Sequence, residues 1–303
     1  MIVIKKYGAI DIGSNAIRLL IATVTQLDDG PTNFKKTSLV RVPIRLGADV
    51  FEQGAISKAN IDRMIEAMKA FKMLMNVHKI EAYRACATSA MREARNGHAV
   101  AERIANEAGI HIHIIDGKEE AAIIASTDLK TLIDDERNFL YVDVGGGSTE
   151  FTVYGHGKVL ASKSFKLGTV RLLNDQVDDD LWDKVKRWIK ANTSELDDVS
   201  LIGSGGNINS IYKESGIKIG RPLTYLFLSN HYKILQKFSY EERIARLGMN
   251  PDRADVIIPA TRIYLSAMKW AKADYIYVPK IGLADGIIKT LHQEYSAHQL
   301  QVK

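Results

Sequence analysis

The sequence predicts an α/β protein of two domains, each built on a mixed β-sheet flanked by helices. Three observations lead to this prediction. The chain has 303 residues, more than the ~100–200 residues that one domain usually holds. Strand and helix signals alternate along it, and a strand-turn-strand pattern opens each half. Hairpins contribute antiparallel pairs while helical connections contribute parallel ones, so we expect both sheets to be mixed.

The repeated pattern divides the chain. Residues 9–21 read AIDIGSNAIRLLI and residues 141–153 read YVDVGGGSTEFTV. Each copy has an apolar strand ending in an aspartate, Asp11 or Asp143, then a glycine two residues later, small turn residues and a second apolar strand. Glycine allows close approach, so the amides of such a turn can converge on an anion. A plain tight turn explains one copy equally well, but two copies favour a duplicated, anion-binding domain.

Helix and strand signals alternate between the copies. Ser57 is predicted to cap a helix with apolar residues at three- and four-residue spacing, and we expect its Met64, Met68 and Met75 to fill the core. A strand at 82–87 then leads to a loop at 88–97. A second strand at 111–115 precedes a helix that begins at residue 118 or 119.

The second half follows DDERN (134–138), the predicted linker. After its hairpin, the predicted elements are a helix with Leu181, Val185, Trp188 and Ile189, the turn GSGGN (203–207), a helix over 253–270, a strand at 275–278, and GLADG (282–286) leading into a C-terminal helix.

Composition excludes several classes of protein. The chain has 41 basic and 36 acidic residues spread along its length, a formal net charge of +5. It has neither the clustered basic stripe with aromatic residues that is typical of nucleic-acid binders nor the ~20 consecutive apolar residues of a membrane helix. Cys86 is the only cysteine, which excludes an internal disulfide and a zinc site of several thiolates. We expect a cytoplasmic protein that binds neither nucleic acid nor membrane.

Glycine-containing turns are the main candidates for chemistry. The G-x-x-x-x-G-K-[ST] phosphate loop, H-E-x-x-H, G-x-S-x-G and G-x-G-x-x-G are all absent. Three turns can instead present amides to phosphate oxygens, and the carboxylates beside two of them suit Mg²⁺, which prefers oxygen ligands. The candidate phosphate-binding residues are Gly13, Ser14 and Asn15 in the first turn, Gly145, Gly146, Gly147 and Ser148 in the second, and Gly205, Gly206 and Asn207 in the third.

Five other residues admit two interpretations each. Glu119 and Glu120 fall in the first turn of a predicted helix, where acidic side chains offset the helix dipole, or where one of them could act as a general base on water. Arg92 could clamp phosphate, although an arginine in a loop is usually solvated. His111 and His113 share one face of a strand but have no third metal ligand near them in sequence, so we interpret them as structural or surface residues.

Taken in order, the motifs resemble those of one family, the exopolyphosphatase and guanosine pentaphosphate phosphatase proteins of the actin, sugar-kinase and heat-shock-70 ATPase superfamily. The resemblance covers most of the chain. It rests on AIDIGSNAIRLLI (9–21), IRLG (44–47), ATSAMREARN (87–96), IIDGKEEA (114–121), YVDVGGGSTEF (141–151), KLGTVRL (166–172), GSGGN (203–207) and RADVI (253–257).

The resemblance implies two ribonuclease-H-like, actin-like ATPase domains around a central cleft. The first would comprise residues 1–127 with a returning C-terminal helix at 284–303, and the second residues 128–283. Longer family members carry a further C-terminal helical region, which we do not expect here, and GLADG stands where relatives often carry an arginine and a glutamate before the glycine.

The resemblance also implies roles for particular residues. Glu120, the second glutamate of the EEA motif, resembles the catalytic base. Asp143 and Glu150 resemble magnesium-associated carboxylates, Asp11 the matching residue of the first phosphate loop, and Arg92 a phosphate clamp. The expected reaction is release of a terminal phosphate from inorganic polyphosphate or guanosine pentaphosphate. The expected cofactor is Mg²⁺, with Mn²⁺ as its substitute and a monovalent cation such as K⁺ as a further candidate.

Two other functions remain open at this point. The same fold supports ATP-dependent kinases, which would need an adenosine pocket and an acceptor site. It also supports binding proteins that sense nucleotides or alarmones, or that assemble like actin. A homodimer is the expected assembly on frequency alone.

Overall fold

The computed structural model describes residues 2–27, 30–127 and 137–301, and their side chains as far as residue 296. The strands are β1 (Ile2–Ile12), β2 (Ile17–Leu27), β3 (Asn33–Val42), β4 (Ala82–Ala87), β5 (Ile112–Ile114), β6 (Phe139–Val144), β7 (Thr149–Gly155), β8 (Lys158–Phe165), β9 (Ser200–Ser204), β10 (Leu223–Thr224) and β11 (Tyr275–Tyr277).

Helices connect and cover these strands. They are α1 (Leu46–Gln53), α2 (Lys58–Val77), α3 (Ser89–Glu93), α4 (Gly97–Ala108), α5 (Gly117–Ala125), α6 (Thr169–Leu173), α7 (Asp179–Thr193), α8 (Gly206–Glu214), α9 (Tyr225–Leu235), α10 (Tyr240–Ala245), α11 (Pro251–Ala254), α12 (Ile257–Ala271) and α13 (Leu283–Gln301). Within the described ranges, no helix has the length and apolar character needed to cross a bilayer.

The chain forms two compact units. Unit 1 comprises the described residues up to Thr127 together with those from Leu283 onward. Unit 2 comprises the described residues between these two parts, from residue 137 to Gly282. The sheet of unit 1 has the strand order β3-β2-β1-β4-β5. In it β1 is antiparallel to β2 and parallel to β4, which is parallel to β5.

The sheet of unit 2 repeats this arrangement. Its strand order is β10-β11-β9-β6-β7-β8. Here β6 is antiparallel to β7 and parallel to β9, as β1 is to β2 and β4. The predicted α/β class with mixed sheets is therefore confirmed, and each half opens with the predicted hairpin. The predicted linker lies mostly outside the described residues.

Each unit has its own hydrophobic core. In unit 1, the side chains of α2 that were predicted to fill the core do so, because the apolar face of this helix packs into the cluster beside the sheet. Ser57 caps the helix by accepting a hydrogen bond from Asn60 N. Met64 and Met68 are fully buried there. In unit 2, α7 and α12 pack their apolar faces into a second core.

Three predicted elements differ from the structure. Residues 88–97 were predicted as a loop, but they contain α3, whose Ala90 and Met91 are buried and anchor it. The helix predicted over 253–270 is two helices, α11 and α12. Pro259 has no amide proton to donate within a helix, but it is tolerated in the first turn of α12, where the amides have no helical acceptor. The helix predicted to start at residue 118 or 119 begins at Gly117.

Candidate functional site

The first hairpin turn joins β1 to β2 in unit 1. Asp11 lies directly across from Arg18, and Ile12 across from Ile17, which leaves residues 13–16 as the turn. Gly13 N donates to Ala16 O at 3.1 Å and closes it. The Ser14 hydroxyl lies 2.9 Å from that of Ser89, at the start of α3. The turn is thus attached to the helix that carries Arg92.

Asp11 is almost completely buried at the end of β1, with 8% of it exposed. Burial raises the pKa of its carboxyl above the ordinary value, and Arg18 opposes this rise. Arg18 Nη1 donates to Asp11 Oδ2 at 3.1 Å. The carboxylate of Asp11 on β1 is therefore already paired with the guanidinium of Arg18 on the neighbouring strand β2.

The second hairpin turn joins β6 to β7 in unit 2. Its register is the same, with Asp143 across from Glu150 and Val144 across from Thr149. Gly145 N donates to Ser148 O at 2.9 Å, which repeats the hydrogen bond of the first turn. The same backbone hydrogen bond therefore closes both turns. The remaining amides of each turn can donate to an anion in the same way.

Glu150 and Asp143 are the residues of this hairpin that could hold a metal. Glu150 is 4% exposed, and its Oε1 accepts hydrogen bonds from Ser148 Oγ at 2.7 Å and Ser164 Oγ at 2.8 Å. Residues directly across an antiparallel pair share one face, so both carboxylates belong to the same face of the sheet. Mg²⁺ is commonly held by one or two carboxylates, with water and phosphate completing its shell. This donor set fits that ion.

Other metal sites find no support in the part of the chain that the structure describes. No group of three or more His, Cys, Asp and Glu side chains is placed there to hold an ion. His111 and His113 lie at the edge strand β5 and its approach, exposed to solvent. A set of two carboxylates is consistent with a metal that needs its substrate to complete the coordination shell.

The third glycine turn lies between β9 and α8. Sequence analysis predicted a turn over residues 203–207, but Ser204 ends the strand and Gly206 begins the helix, so only Gly205 lies between them. Gly205 between them has φ +113°, a conformation that glycine adopts readily and other residues rarely do. A Cβ there would lie 3.5 Å from Asp143 Oδ1. Gly206 and Asn207 are thus the first residues of α8, and this N-terminus lies close to Asp143. The free amides of a helix N-terminus favour the binding of an anion.

Residues 168–171, which we call the brace, support the second turn by donating hydrogen bonds to its carbonyls. Thr169 N donates to Gly145 O at 3.0 Å and Val170 N to Gly146 O at 2.8 Å. Arg171, which is buried, donates from Nε to Gly147 O at 2.7 Å. With their carbonyls held by α6, the glycines of the turn are fixed in one conformation.

Gly168 allows this brace to approach the turn. A Cβ at this position would overlap the carbonyl of Gly146 and lie 2.5 Å from the carbonyl carbon of Gly147. The first turn has an equivalent support, since Gly47 N donates to Ser14 O at 2.8 Å and a Cβ on Gly47 would lie 3.0 Å from Ser14 Cβ. Both turns therefore rest on a glycine that follows the third strand of their sheet.

Sequence reasoning missed this brace, although a signal was present. Arg45-Leu46-Gly47 follows β3 and Lys166-Leu167-Gly168 follows β8, so a basic residue, leucine and glycine recur in both copies. Both leucines are fully buried. The repeat therefore extends beyond the two hairpins to a third strand and its brace.

Glu120 lies in the first turn of α5, as predicted. Asp116 caps this helix, accepting from Lys118 N and Glu119 N at 2.8 Å each. Glu119 is exposed, whereas Glu120 is 9% exposed. Helix-dipole compensation does not require burial, and burying a carboxylate costs free energy. The difference between these neighbours favours a chemical role for Glu120.

Arg92 holds the segment that precedes this helix. It lies in the last turn of α3, and its Nη1 donates to Ile115 O at 2.7 Å. Contacts therefore lead from the first glycine turn through Ser89 and α3 to Ile115 and the cap of α5. Unit 1 brings Asp11, its turn and Arg92 into one connected structure with the start of α5. In unit 2, Asp143, Glu150 and the other two glycine turns adjoin one another.

Cys86 is the neighbour of Asp11 on β4. Burial, reinforced by nearby carboxylates that include Asp11, raises the pKa of its thiol to about 12. The thiol therefore stays protonated at neutral and mildly alkaline pH, and we expect almost no reaction with Ellman's reagent in the folded protein. The reaction should become fast in concentrated guanidinium chloride. Rapid labelling of the folded protein would show that Cys86 is accessible and contradict this account.

Comparison with known proteins places these features in a family. A sequence model of the Ppx/GppA phosphatase family matches residues 24–294. The "bifunctional 3-dehydroquinate synthase/phosphatase" of Fusobacterium nucleatum is 30% identical over 89% of this chain, which spans 44% of that relative. "Exopolyphosphatase 1" of Mycobacterium tuberculosis is 22% identical over 93% of this chain and 87% of its own length.

A further relative and a solved structure agree. The "guanosine-5'-triphosphate,3'-diphosphate pyrophosphatase" of Vibrio parahaemolyticus is 23% identical over 98% of this chain, which covers 61% of that protein. The crystal structure of the Aquifex aeolicus member of the family superposes with a TM-score of 0.74 at 25% identity, covering 97% of this chain and 99% of the other. The predicted actin-like fold is thereby confirmed, and the chain belongs to the Ppx/GppA phosphatase family.

Proposed function

We propose that this protein is a phosphohydrolase that releases terminal orthophosphate from inorganic polyphosphate, guanosine pentaphosphate or both, by in-line attack of water. Membership of a phosphatase family supports hydrolysis of phosphoanhydride bonds. The relatives named as an exopolyphosphatase and as a guanosine-5'-triphosphate,3'-diphosphate pyrophosphatase support these two substrates. Both substrates present a terminal phosphate joined to another phosphate, so one reaction serves both.

The observation that carries the proposal is the pair of matched hairpins. Each places a carboxylate beside a turn closed by the same hydrogen bond, Asp11 next to residues 13–16 and Asp143 next to residues 145–148. Fixed amides of this kind stabilise the charge on equatorial phosphoryl oxygens without reorganising during the reaction. In phosphoryl transfer, such positioning and charge stabilisation supply most of the rate.

Glu120 is the proposed base. As the oxygen of water bonds to the terminal phosphorus, the bridging P–O bond breaks, Glu120 accepts the proton of the water, and the shortened chain leaves with the bridging oxygen. A side chain buried in the first turn of α5 has few conformations available, which suits a group that must orient water. Arg92, fixed by Ile115 O, is the proposed phosphate clamp.

The proposed metal residues are Asp143 and Glu150. Mg²⁺ bound there would neutralise charge on phosphoryl oxygens, and Mn²⁺ has the oxygen-ligand chemistry to substitute for it. A K⁺ ion remains a proposal without an assigned residue. The two serine hydroxyls that donate to Glu150 Oε1 fix its carboxylate, so its orientation does not depend on the ion.

Phosphate release tests the proposal. Long polyphosphate, tripolyphosphate, guanosine pentaphosphate and ATP are compared side by side with Mg²⁺, and again after addition of EDTA. We expect orthophosphate from at least one of the first three substrates, and its loss with EDTA. Binding of these compounds without phosphate release would instead support a sensing protein. ATP consumption that phosphorylates a sugar would support a kinase.

A further inference from the structure

The junction between β9 and α8 contains a glycine that does not by itself specify a backbone conformation. Gly205 has φ +113°, and glycine populates positive and negative φ about equally. This junction leads into the first amides of α8, which are candidate donors to phosphoryl oxygens. Donors that stabilise developing charge have to be fixed in direction before the reaction begins. Other residues of unit 2 must therefore hold the junction.

Ser204, the residue before this glycine, is held from two sides. Its Oγ donates to Ile281 O at 2.9 Å, which fixes the side chain. Its backbone carbonyl accepts a hydrogen bond from the hydroxyl of Tyr264 on α12. Ser204 and Tyr264 are both fully buried, so water does not compete for either contact.

The Tyr264 hydroxyl lies among the atoms that surround Gly205. A Cβ on Gly205 would lie 3.3 Å from this hydroxyl, 3.0 Å from Val144 O and 3.5 Å from Asp143 Oδ1. Val144 ends β6 and directly precedes the second glycine turn. The hydroxyl is therefore located where the ends of β6 and β9 meet, next to both glycine turns of unit 2.

Packing alone does not account for the hydroxyl of Tyr264. Most buried neighbours along α12 are apolar, among them Ala260, Ile263, Ala267 and Met268. Phenylalanine would fill nearly the same volume, whereas a buried phenol adds a polar group that requires a partner. What the hydroxyl contributes beyond packing is its hydrogen bond to Ser204 O.

A hydrogen bond to a carbonyl also sets the direction of the amide that follows it. The peptide unit is planar, and in the trans form its C=O and N–H point in opposite directions. No cis peptide bond occurs among the described residues. Since Ser204 O is directed at the phenol of α12, the Gly205 N–H is directed away from α12. One peptide plane thus links Tyr264 to the donor at the start of α8.

We propose that Tyr264 is a positioning residue of the site. Its hydroxyl fixes the peptide between Ser204 and Gly205, so that Gly205 and α8 present their amides to the phosphoryl group being transferred. Because Tyr264 is fully buried, it acts through this peptide and not on the substrate itself. The identity of the bound group rests on the proposed function. The direction of the peptide does not rest on it.

Tyr264→Phe tests this assignment, since it removes only the hydroxyl and keeps the volume of the ring, a change that cores tolerate. Residual dipolar couplings of protein labelled with ¹⁵N-glycine report the directions of the N–H bonds. We expect the coupling of Gly205 to change, and those of Gly155 and Gly248, elsewhere in unit 2, to stay the same. An unchanged Gly205 coupling would overturn the proposal.

Tyr212→Phe is the matched control. Tyr212 is also buried in unit 2, and its hydroxyl lies within hydrogen-bonding distance of two backbone carbonyls, Lys218 O at 2.9 Å and Arg221 O at 2.8 Å. Both acceptors follow the end of α8, so this substitution removes a comparable hydrogen bond away from the junction. We expect similar losses of thermal stability from the two substitutions, with the Gly205 coupling changed in Tyr264→Phe alone.

The kinetic measurement compares kcat and KM for phosphate release from polyphosphate. An amide turned away from developing charge loses stabilisation that exists only in the transition state, so kcat falls while KM stays nearly constant. The expected loss in Tyr264→Phe is about tenfold, less than the roughly 100-fold or more that follows outright removal of such a donor. Tyr212→Phe should keep its turnover. A rise in KM alone in Tyr264→Phe would overturn the proposal.

The two proposals fail in different ways. If the unaltered chain releases no phosphate from any substrate, the hydrolase is refuted, and a changed Gly205 coupling in Tyr264→Phe still supports the role of Tyr264 in fixing the peptide. If the unaltered chain releases phosphate and the two phenylalanine variants have equal turnover, the hydrolase stands and the role of Tyr264 is overturned.

Discussion

Glu120→Gln is expected to reduce the turnover number roughly 100-fold or more, the usual scale for loss of a general base. A 100-fold loss corresponds to about 2.7 kcal/mol of transition-state stabilisation. Glutamine keeps the shape of the side chain but cannot accept the proton of the attacking water. The substitution also removes a charge from the first turn of α5, which costs stability only about 0.3–1 kcal/mol. Turnover number, KM and thermal unfolding are therefore measured together.

Glu119→Gln is the matched control for this prediction. It removes the same charge from the same helix turn one residue earlier, but Glu119 is exposed whereas Glu120 is buried. We expect turnover to stay within about twofold, in line with the small effect of most surface substitutions. Equal effects of the two substitutions would mean that Glu120 serves the helix dipole only, and the proposed base would be wrong.

Gly168→Ala is expected to cost about 100-fold in turnover, because a displacement of reacting groups by ~1 Å has effects of that order. The added Cβ would overlap the carbonyl of Gly146, so the turn or α6 must move. Such overpacking typically costs ~1–3 kcal/mol of stability, which leaves many proteins folded. The measurement is phosphate release at saturating substrate, beside the free energy of unfolding in urea.

Gly248→Ala separates loss of stability from displacement of the turn. Gly248 has φ +65° with no atom near the place of an added Cβ, so alanine there is strained but meets no neighbour. The expected cost is ~1–2 kcal/mol of stability with turnover unchanged. If both alanine variants lose activity in proportion to stability, the brace has no specific role. Full activity of Gly168→Ala would contradict the account of the brace.

The features with local sequence signals were predictable. The hairpins follow from apolar strands around glycine turns, and their equivalence follows from the repeated aspartate. The cap of α2 and the buried methionines followed from Ser57 and the helical spacing. The position of Glu120 in a first helix turn was also correct, because Asp116 is a favourable cap.

The features that depend on tertiary contacts were not predictable in the same way. No local pattern shows that Glu120 is buried and Glu119 exposed, since adjacent helix positions point in different directions and only packing decides which is covered. The brace at Gly168 depends on a close approach between segments about twenty residues apart. The pairing of Arg18 with Asp11 and of Glu150 with Asp143 requires the strand register. With that register known, the repeat reveals a reversal of charge that the two motifs alone conceal.

Attack of water on the terminal phosphorus is the central claim, and isotope transfer tests it most directly. Tripolyphosphate is hydrolysed in ¹⁸O-enriched water, and the orthophosphate and pyrophosphate products are analysed by mass spectrometry. The account predicts one solvent oxygen in the orthophosphate and none in the pyrophosphate, with the rate falling in Glu120→Gln and not in Glu119→Gln. Solvent oxygen in the pyrophosphate, or in neither product, would contradict it.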